Sequence, residues 1–186
     1  MITFERRKQD ILSKQDKSSI GKVDKPIEEL VNKINKSKNY YTTSSCSGRI
    51  VLIRDSIEKK PGLFLFRTHD KITFNQLKKE LDKIKDDDLV IFKQEPCVLA
   101  IACKDMDAAG KLLYKAREKA GWKESGIMSM SGRVMVELRS TEKLALPIMH
   151  NNEVLVDNDF LKVLVKQSNQ RLEKTWEKIE NLNKLM

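Results

Sequence analysis

Short apolar runs set between helical stripes put the tightest bounds on what this chain can fold into. The runs at 50–53, 63–66, 89–92 and 97–103 span four to seven residues, are mostly aliphatic or aromatic, and end in polar or turn residues. That length and composition predict buried strands rather than helices. Three amphipathic stripes accompany them: Ile27, Leu30, Val31 and Ile34; then Phe74, Leu77, Leu81 and Ile84; then Met106, Ala109, Leu112, Leu113, Ala116 and Ala120. Strands and helices in this order predict an α/β or α+β fold, a mixed sheet flanked by helices. No two of the seven glycines are spaced as Gly-x-Gly, so neither the Rossmann cradle nor a P-loop is available. With 186 residues the chain suits one domain or two small halves sharing a core. We expect the domain over residues 1–150 and a helical extension packed on it over 151–186.

The element ends are marked by local chemistry. Phe4, Ile11 and Leu12 share one side of a first helix, and Asp24-Lys25-Pro26 opens a second, because proline is tolerated in a first turn. Thr73 and Gln76 carry the capping-box spacing, Asp86-Asp87-Asp88 stops that helix, Asp105 caps the next and Gly121 ends it. Residues 125–131 read as a polar connection, 133–138 as a strand, and 144–146 with Ile148 as a last short strand. From Asp157 one long helix is predicted with Phe160, Leu161, Leu164, Leu172, Trp176, Ile179 and Leu182 inward. Its stripe shifts at Gln167-Ser168-Asn169-Gln170, where a bend or loose packing is expected.

Chemistry concentrates between Tyr40 and Arg49, where hydroxyls, a thiol, a glycine and a guanidinium meet within ten residues. A serine run closed by glycine can turn backbone N–H groups into an anion-binding concavity, and Arg49 adds a fork suited to carboxylate or phosphate. A solvated serine-rich turn is the plainer alternative. An echo follows 84 residues later: Ser45-Cys46-Ser47-Gly48-Arg49 aligns with Ser129-Met130-Ser131-Gly132-Arg133, each copy leading into three apolar residues. Two related halves, or chance, account for it.

Residues Thr42 to Arg49 resemble the Ser-x-Ser-Ser-Cys-x-Gly-Arg signature of the wybutosine-synthesizing protein 3 family. Asp16-Lys17-Ser18 with Gly21 and Asp24, Thr68-His69, Glu95-Pro96, Ser125-Gly126 and the block from Val136 to Ser140 with Pro147 extend the likeness over about residues 4–148. The resemblance implies transfer of a methyl group from S-adenosylmethionine to a ring nitrogen of the tricyclic, wyosine-type base beside the anticodon of tRNA(Phe). It implies cofactor contacts from Ser44, Ser45, Cys46, Ser47, Gly48, Arg49, Ser125 and Gly126. Asp16, Lys17, Asp24, Tyr41 and Arg139 are the substrate-facing candidates. His69, at the end of a buried strand, is the candidate proton acceptor. Two departures stand out. Ala100 occupies a position where family members often have histidine, and Lys123-Glu124 one where they often have Arg-Asn, so neither is assigned a role.

Several candidates have structural alternatives. Asp24 could cap a helix, at least one of Tyr40 and Tyr41 should be core by strand alternation, and Cys46 has no histidine near it in sequence and should fill space beneath a ligand. Cys97 and Cys103 sit in an apolar run and read as core. Three cysteines without Cys-x-x-Cys spacing argue against a disulfide framework or a metal site. The formal charge of +9 is uneven, with 14 Lys and Arg against 8 Asp and Glu over residues 1–60. This fits a docked polyanion such as the anticodon loop, or lysine used only for solubility. No apolar run approaches the roughly 18 residues of a membrane span, and the early charges at Glu5, Arg6 and Arg7 argue against a signal peptide, so a cytoplasmic protein is expected. The rival readings are a non-catalytic basic RNA-binding module and an enzyme acting on a phosphorylated metabolite.

Overall fold

The computed structural model describes residues 3–13, 23–56, 62–85, 87–130 and 132–186. In chain order the elements are α1 (Phe4–Leu12), a 3-10 turn (Lys25–Ile27), α2 (Glu28–Lys36), β1 (Tyr40–Cys46), β2 (Arg49–Arg54), β3 (Phe64–Thr68), α3 (Phe74–Lys83), β4 (Val90–Glu95) and β5 (Val98–Cys103). Then follow α4 (Met106–Leu113), a π-helical turn (Tyr114–Lys119), β6 (Gly126–Ser129), β7 (Val134–Arg139), β8 (Leu144–His150), β9 (Glu153–Val154) and α5 (Asn158–Leu185). The class is α+β. In place of one mixed sheet there are two, ordered β1-β5-β7-β6 and β3-β2-β4-β8-β9, and every strand pair is antiparallel. The chain forms two compact units: Met1–Ser47, Cys97–Thr141 and Thr175–Met186 make the first, Gly48–Pro96 and Glu142–Lys174 the second.

In the first unit, the stripe Ile27, Leu30, Val31 and Ile34 joins Leu99, Ile101, Ala109, Leu112, Val136, Leu138, Ile179 and Leu182 in one buried cluster. Cys97 and Cys103 lie in it as expected. Trp122 is fully buried there, with its indole N–H donating to the Lys178 carbonyl at 3.0 Å. A buried indole needs such an acceptor, since leaving its N–H unpaired would cost about 1–3 kcal/mol. The widened turn after α4 arises where the Ala120 N–H reaches the Lys115 carbonyl at 3.0 Å, five residues back. Gly121, at φ +78°, then ends the helix in a conformation that suits a residue without Cβ.

The second unit buries Ile50, Val51 and Leu52 of β2, Phe92 of β4, Leu77 and Leu81 of α3, and Leu161, Leu164 and Leu172 of α5. The predicted capping box is present, with Thr73 Oγ1 accepting from the Gln76 N–H at 3.2 Å and Gln76 Oε1 from the Thr73 N–H at 3.0 Å. Helix α5 runs unbroken through residues 167–170. Its stripe shifts there because the polar side chains have buried work: Ser168 donates to the Leu164 carbonyl at 2.8 Å. Asn169 accepts from the Ile72 N–H at 3.0 Å and donates to the Ile72 carbonyl at 2.7 Å. Phe160, expected inward, is 44% exposed.

The polar residues Ser44, Ser45 and Cys46, expected at a junction, extend β1 itself. Only Ser47 and Gly48 connect it to β2, which belongs to the other sheet. Residues 126–129, expected as a connection, form the edge strand β6. The second member of the Ser-Gly-Arg echo turns β6 back onto its own neighbour β7. Gly48 and Gly132 share a left-handed backbone, with φ of 91° and 69°, so the repeated glycine has a common conformational reason. The two connections do not have a common topology.

Candidate functional site

Among the described residues, register gathers the candidates of each unit, Tyr41 excepted, at one end of its sheet. In the first sheet Cys46 pairs with Val98, and Val98 with Arg139. The Arg139 N–H donates to Ser125 Oγ at 3.0 Å, and Gly126 pairs with Glu137. Residues nearly a hundred positions apart thus share one sheet end: Ser45, Cys46, Ser125, Gly126 and Arg139. A register shift between Thr42 and Ser44 marks a bulge, which re-aims the side chains beyond it. Asn35 supports the bulge by accepting from the Thr42 N–H at 2.8 Å.

Asp24 does not cap the turn it precedes. Its carboxylate, 9% exposed, accepts the Ser47 backbone N–H at 2.8 Å, so it holds the bend that ends β1. Ser47 is fully buried and its hydroxyl has no hydrogen-bond partner among the described residues. Ser44 is exposed, while Ser45 and Cys46 are half-buried. Burial drives the Cys97 thiol well above its ordinary range, with smaller contributions from Cys46 and Asp24. It also pushes Cys103 up to about 12, aided by Asp105. Neither is a nucleophile near neutrality.

In the second sheet Arg49 pairs with Glu95, and Ile50 with Thr68, so His69, one residue past Thr68, emerges at the end of the sheet where Arg49 begins β2. Arg49 Nε donates to Glu95 Oε2 at 2.5 Å, and its guanidinium carbon stands 5.1 Å from the centre of the Phe64 ring. Arg67 approaches the same ring at 5.4 Å. In the sequence Glu95 stands out only through the Glu95-Pro96 likeness. As the residue that orients Arg49 it is a functional candidate that the sequence reading passed over, and the Arg49-to-Glu95 cross-strand pairing is what reveals it.

Tyr41, a substrate-facing candidate by resemblance, is closed off from solvent. It is fully buried, with its ring 5.2 Å from that of Phe4, at the end of β1 away from Cys46. Tyr40 is the core tyrosine, donating its hydroxyl to the Ala108 carbonyl at 2.9 Å. Asp16 and Lys17 lie outside the described residues. No helix among the described residues is long and apolar enough to cross a membrane.

Comparison with known proteins gives a consistent match. Residues 6–186 fit the family model described as Methyltransferase TYW3, which carries the likeness through α5, beyond the blocks legible by eye. A Danio rerio protein named tRNA wybutosine-synthesizing protein 3 homolog is 35% identical over 190 residues, covering 99% of this chain and 74% of that one. A Methanocaldococcus jannaschii protein named tRNA(Phe) 7-((3-amino-3-carboxypropyl)-4-demethylwyosine(37)-N(4))-methyltransferase is 39% identical over 161 residues, covering 84% and 82%. Among solved structures, PH1069 from Pyrococcus horikoshii superposes with a TM-score of 0.86 at 30% identity, over 98% of this chain and 93% of that one.

Proposed function

This chain belongs to the methyltransferase TYW3 family, and from that membership we propose that it transfers a methyl group from S-adenosylmethionine to a ring nitrogen of a wyosine-type base next to the anticodon of tRNA(Phe). The observation that carries this reading is the likeness, spread over most of both chains, to a relative named as a tRNA(Phe) demethylwyosine N(4)-methyltransferase and to one named as a wybutosine-synthesizing protein.

S-Adenosylmethionine, when bound, supplies a methyl group on a cationic sulfur, so the protein's task is positioning and proton acceptance rather than covalent catalysis. The residues present fit its amino-acid tail. Arg49 is fixed through Nε by Glu95 and by the Phe64 ring, and among the described residues its two terminal amino groups have no partner. Those groups suit a carboxylate, and the Glu95 carboxylate suits an ammonium. In the first unit, the unpartnered Ser47 hydroxyl is a buried polar group of the kind that a ligand or water commonly satisfies. Asp24 acts as a positioning residue by fixing the Ser47 N–H. His69 is the proposed acceptor of the proton leaving the target nitrogen, and its place at the Arg49 end of the second sheet supports that role. Ser125, Gly126 and Arg139 are proposed contacts at the Cys46 end of the first sheet. The basic amino-terminal third and the tRNA substrate point to work in the cytoplasm.

Incubation with labelled S-adenosylmethionine and hypomodified tRNA(Phe) lacking the ring-nitrogen methyl group tests the reading. We expect label in the wyosine-type base. Tight tRNA binding with no methylation and no binding of S-adenosylmethionine, with or without tRNA, would favour the RNA-binding module instead.

A further inference from the structure

The first unit contains a pocket lined in part by Met130, Gly132 and Arg133 of the Ser-Gly-Arg echo. It lies at the Tyr41 end of β1, about 16 Å along the strand from Cys46 at ~3.3 Å per residue. Its volume is about 320 Å³, with walls from Phe4 and Arg7 of α1, Tyr41 of β1, Cys103 at the end of β5 and Lys104 after it, Met130, Gly132 and Arg133 of the β6–β7 turn, and Val134. Helix α1 is tied to that turn by Arg7, whose Nη1 donates to the Gly132 carbonyl at 2.6 Å.

The charge on this pocket is one-sided. Arg7, Lys104 and Arg133 all line it, and no aspartate or glutamate does. Elsewhere the surface cations are commonly matched, as in Arg6–Asp10, Lys33–Glu29, Lys83–Glu80 and Lys162–Asp159. Among the described residues none of the pocket's three cations has an ion-pair partner. Crowding like charges costs free energy that a bound anion returns. At the floor lies Tyr41, fully buried, its hydroxyl without a hydrogen-bond partner among the described residues. A buried phenol usually finds an acceptor.

We propose that this pocket is a docking site for a phosphodiester of the RNA substrate, held by Arg7, Lys104 and Arg133 with the Tyr41 hydroxyl as a neutral donor. The inference rests on the tRNA reading and adds to it a backbone grip separate from the signature residues. Such a contact positions the RNA without reading its sequence, and its signature is salt dependence, about 0.7–0.9 of logarithmic slope per neutralised phosphate.

The test is binding of a hypomodified anticodon stem-loop RNA, followed by anisotropy over about 50–200 mM salt. The triple variant Arg7→Gln, Lys104→Gln, Arg133→Gln is compared with a control of equal charge loss, Lys33→Gln, Lys83→Gln, Lys162→Gln. The pocket triple should bind at least tenfold more weakly at low salt and lose about 0.7–0.9 of slope, the share of one phosphate, with the control losing less. Tyr41→Phe, which keeps the ring, should weaken binding several-fold at unchanged slope. A pocket triple with the same affinity and slope as the control overturns the proposal. So does calorimetry in which inorganic phosphate binds the wild type, and not the triple, while RNA binding is unaltered, since the pocket would then serve small anions only. Binding of S-adenosylmethionine, measured on the same variants without RNA, should be unchanged. Its absence in the wild type would count against the methyltransferase reading and leave the RNA result to be judged separately.

Discussion

The Asp24 carboxylate and the Ser47 backbone N–H meet at 2.8 Å across 23 residues of sequence, and both groups are buried. An acidic side chain ahead of α2 thereby dictates how β1 ends. Removing the acceptor strands a buried donor, at about 1–3 kcal/mol. Asp24→Ala should lose that much stability in urea denaturation and most of its methyl transfer. Asp24→Asn retains a carbonyl acceptor and should lose far less of both. Equal stability of Asp24→Ala and wild type would show the contact to be dispensable.

Arg49 is held by one edge of its guanidinium on Glu95 and one face on Phe64. Lysine cannot reproduce a planar fork. Arg49→Lys should therefore weaken S-adenosylmethionine binding about tenfold or more, equivalent to about 1.4 kcal/mol, as read by calorimetry. Because the ion pair is partly exposed, unfolding stability should change by less than about 1 kcal/mol. Glu95→Gln should weaken cofactor binding in the same direction.

His69 has a different expected signature. General base assistance is worth about 10²–10⁴ in rate, so His69→Gln should lower turnover by that order in single-turnover assays. The affinity for S-adenosylmethionine should stay within about twofold, a difference too small to register as a lost hydrogen bond. A parallel loss of cofactor affinity would reassign His69 from proton acceptance to binding.

Burial of Cys103 pushes its thiol up to about 12 from an ordinary 9.0, and burial likewise raises its cross-strand partner Tyr40. Folding holds these groups protonated, so the stability they lend is complete below about pH 9 and is lost as pH rises toward 12. Melting temperature should fall steadily from pH 9 to 11. Cys103→Ala should soften that decline while costing about 1 kcal/mol at neutral pH. In the folded protein at pH 8, iodoacetamide should label Cys46 ahead of Cys97 and Cys103.

Local signals were legible wherever a residue acts on its own neighbourhood. The Thr73–Gln76 box, the Asp105 cap and the Ile27–Ile34 stripe all appear as read, because capping and helical burial are decided within one or two turns. What the sequence hid was decided by distant partners. Strand β1 pairs with β5, some 57 residues on, rather than with β2 beside it, so two adjacent runs fall into different sheets. Strand β6 escaped notice because it is an edge strand with Met128 exposed, which erases the alternation of a half-buried strand. The signature itself was legible by resemblance. Its supporting contacts from Asp24, Asn35 and Glu95 were not, since each reaches across a fold that spacing alone does not reveal.

Asn169 holds the main chain of Ile72 by both its N–H and its carbonyl, imitating a neighbouring strand with a single carboxamide. Such a clasp is blind to the side chain at position 72, which can drift among apolar residues without loosening it. Position 169 has no such latitude, because even aspartate, of the same size, would set a negative oxygen against the Ile72 carbonyl. Tolerance to mutation is therefore lopsided across this one contact, and a deep substitution scan should find residue 169 far less forgiving than its buried aliphatic counterpart.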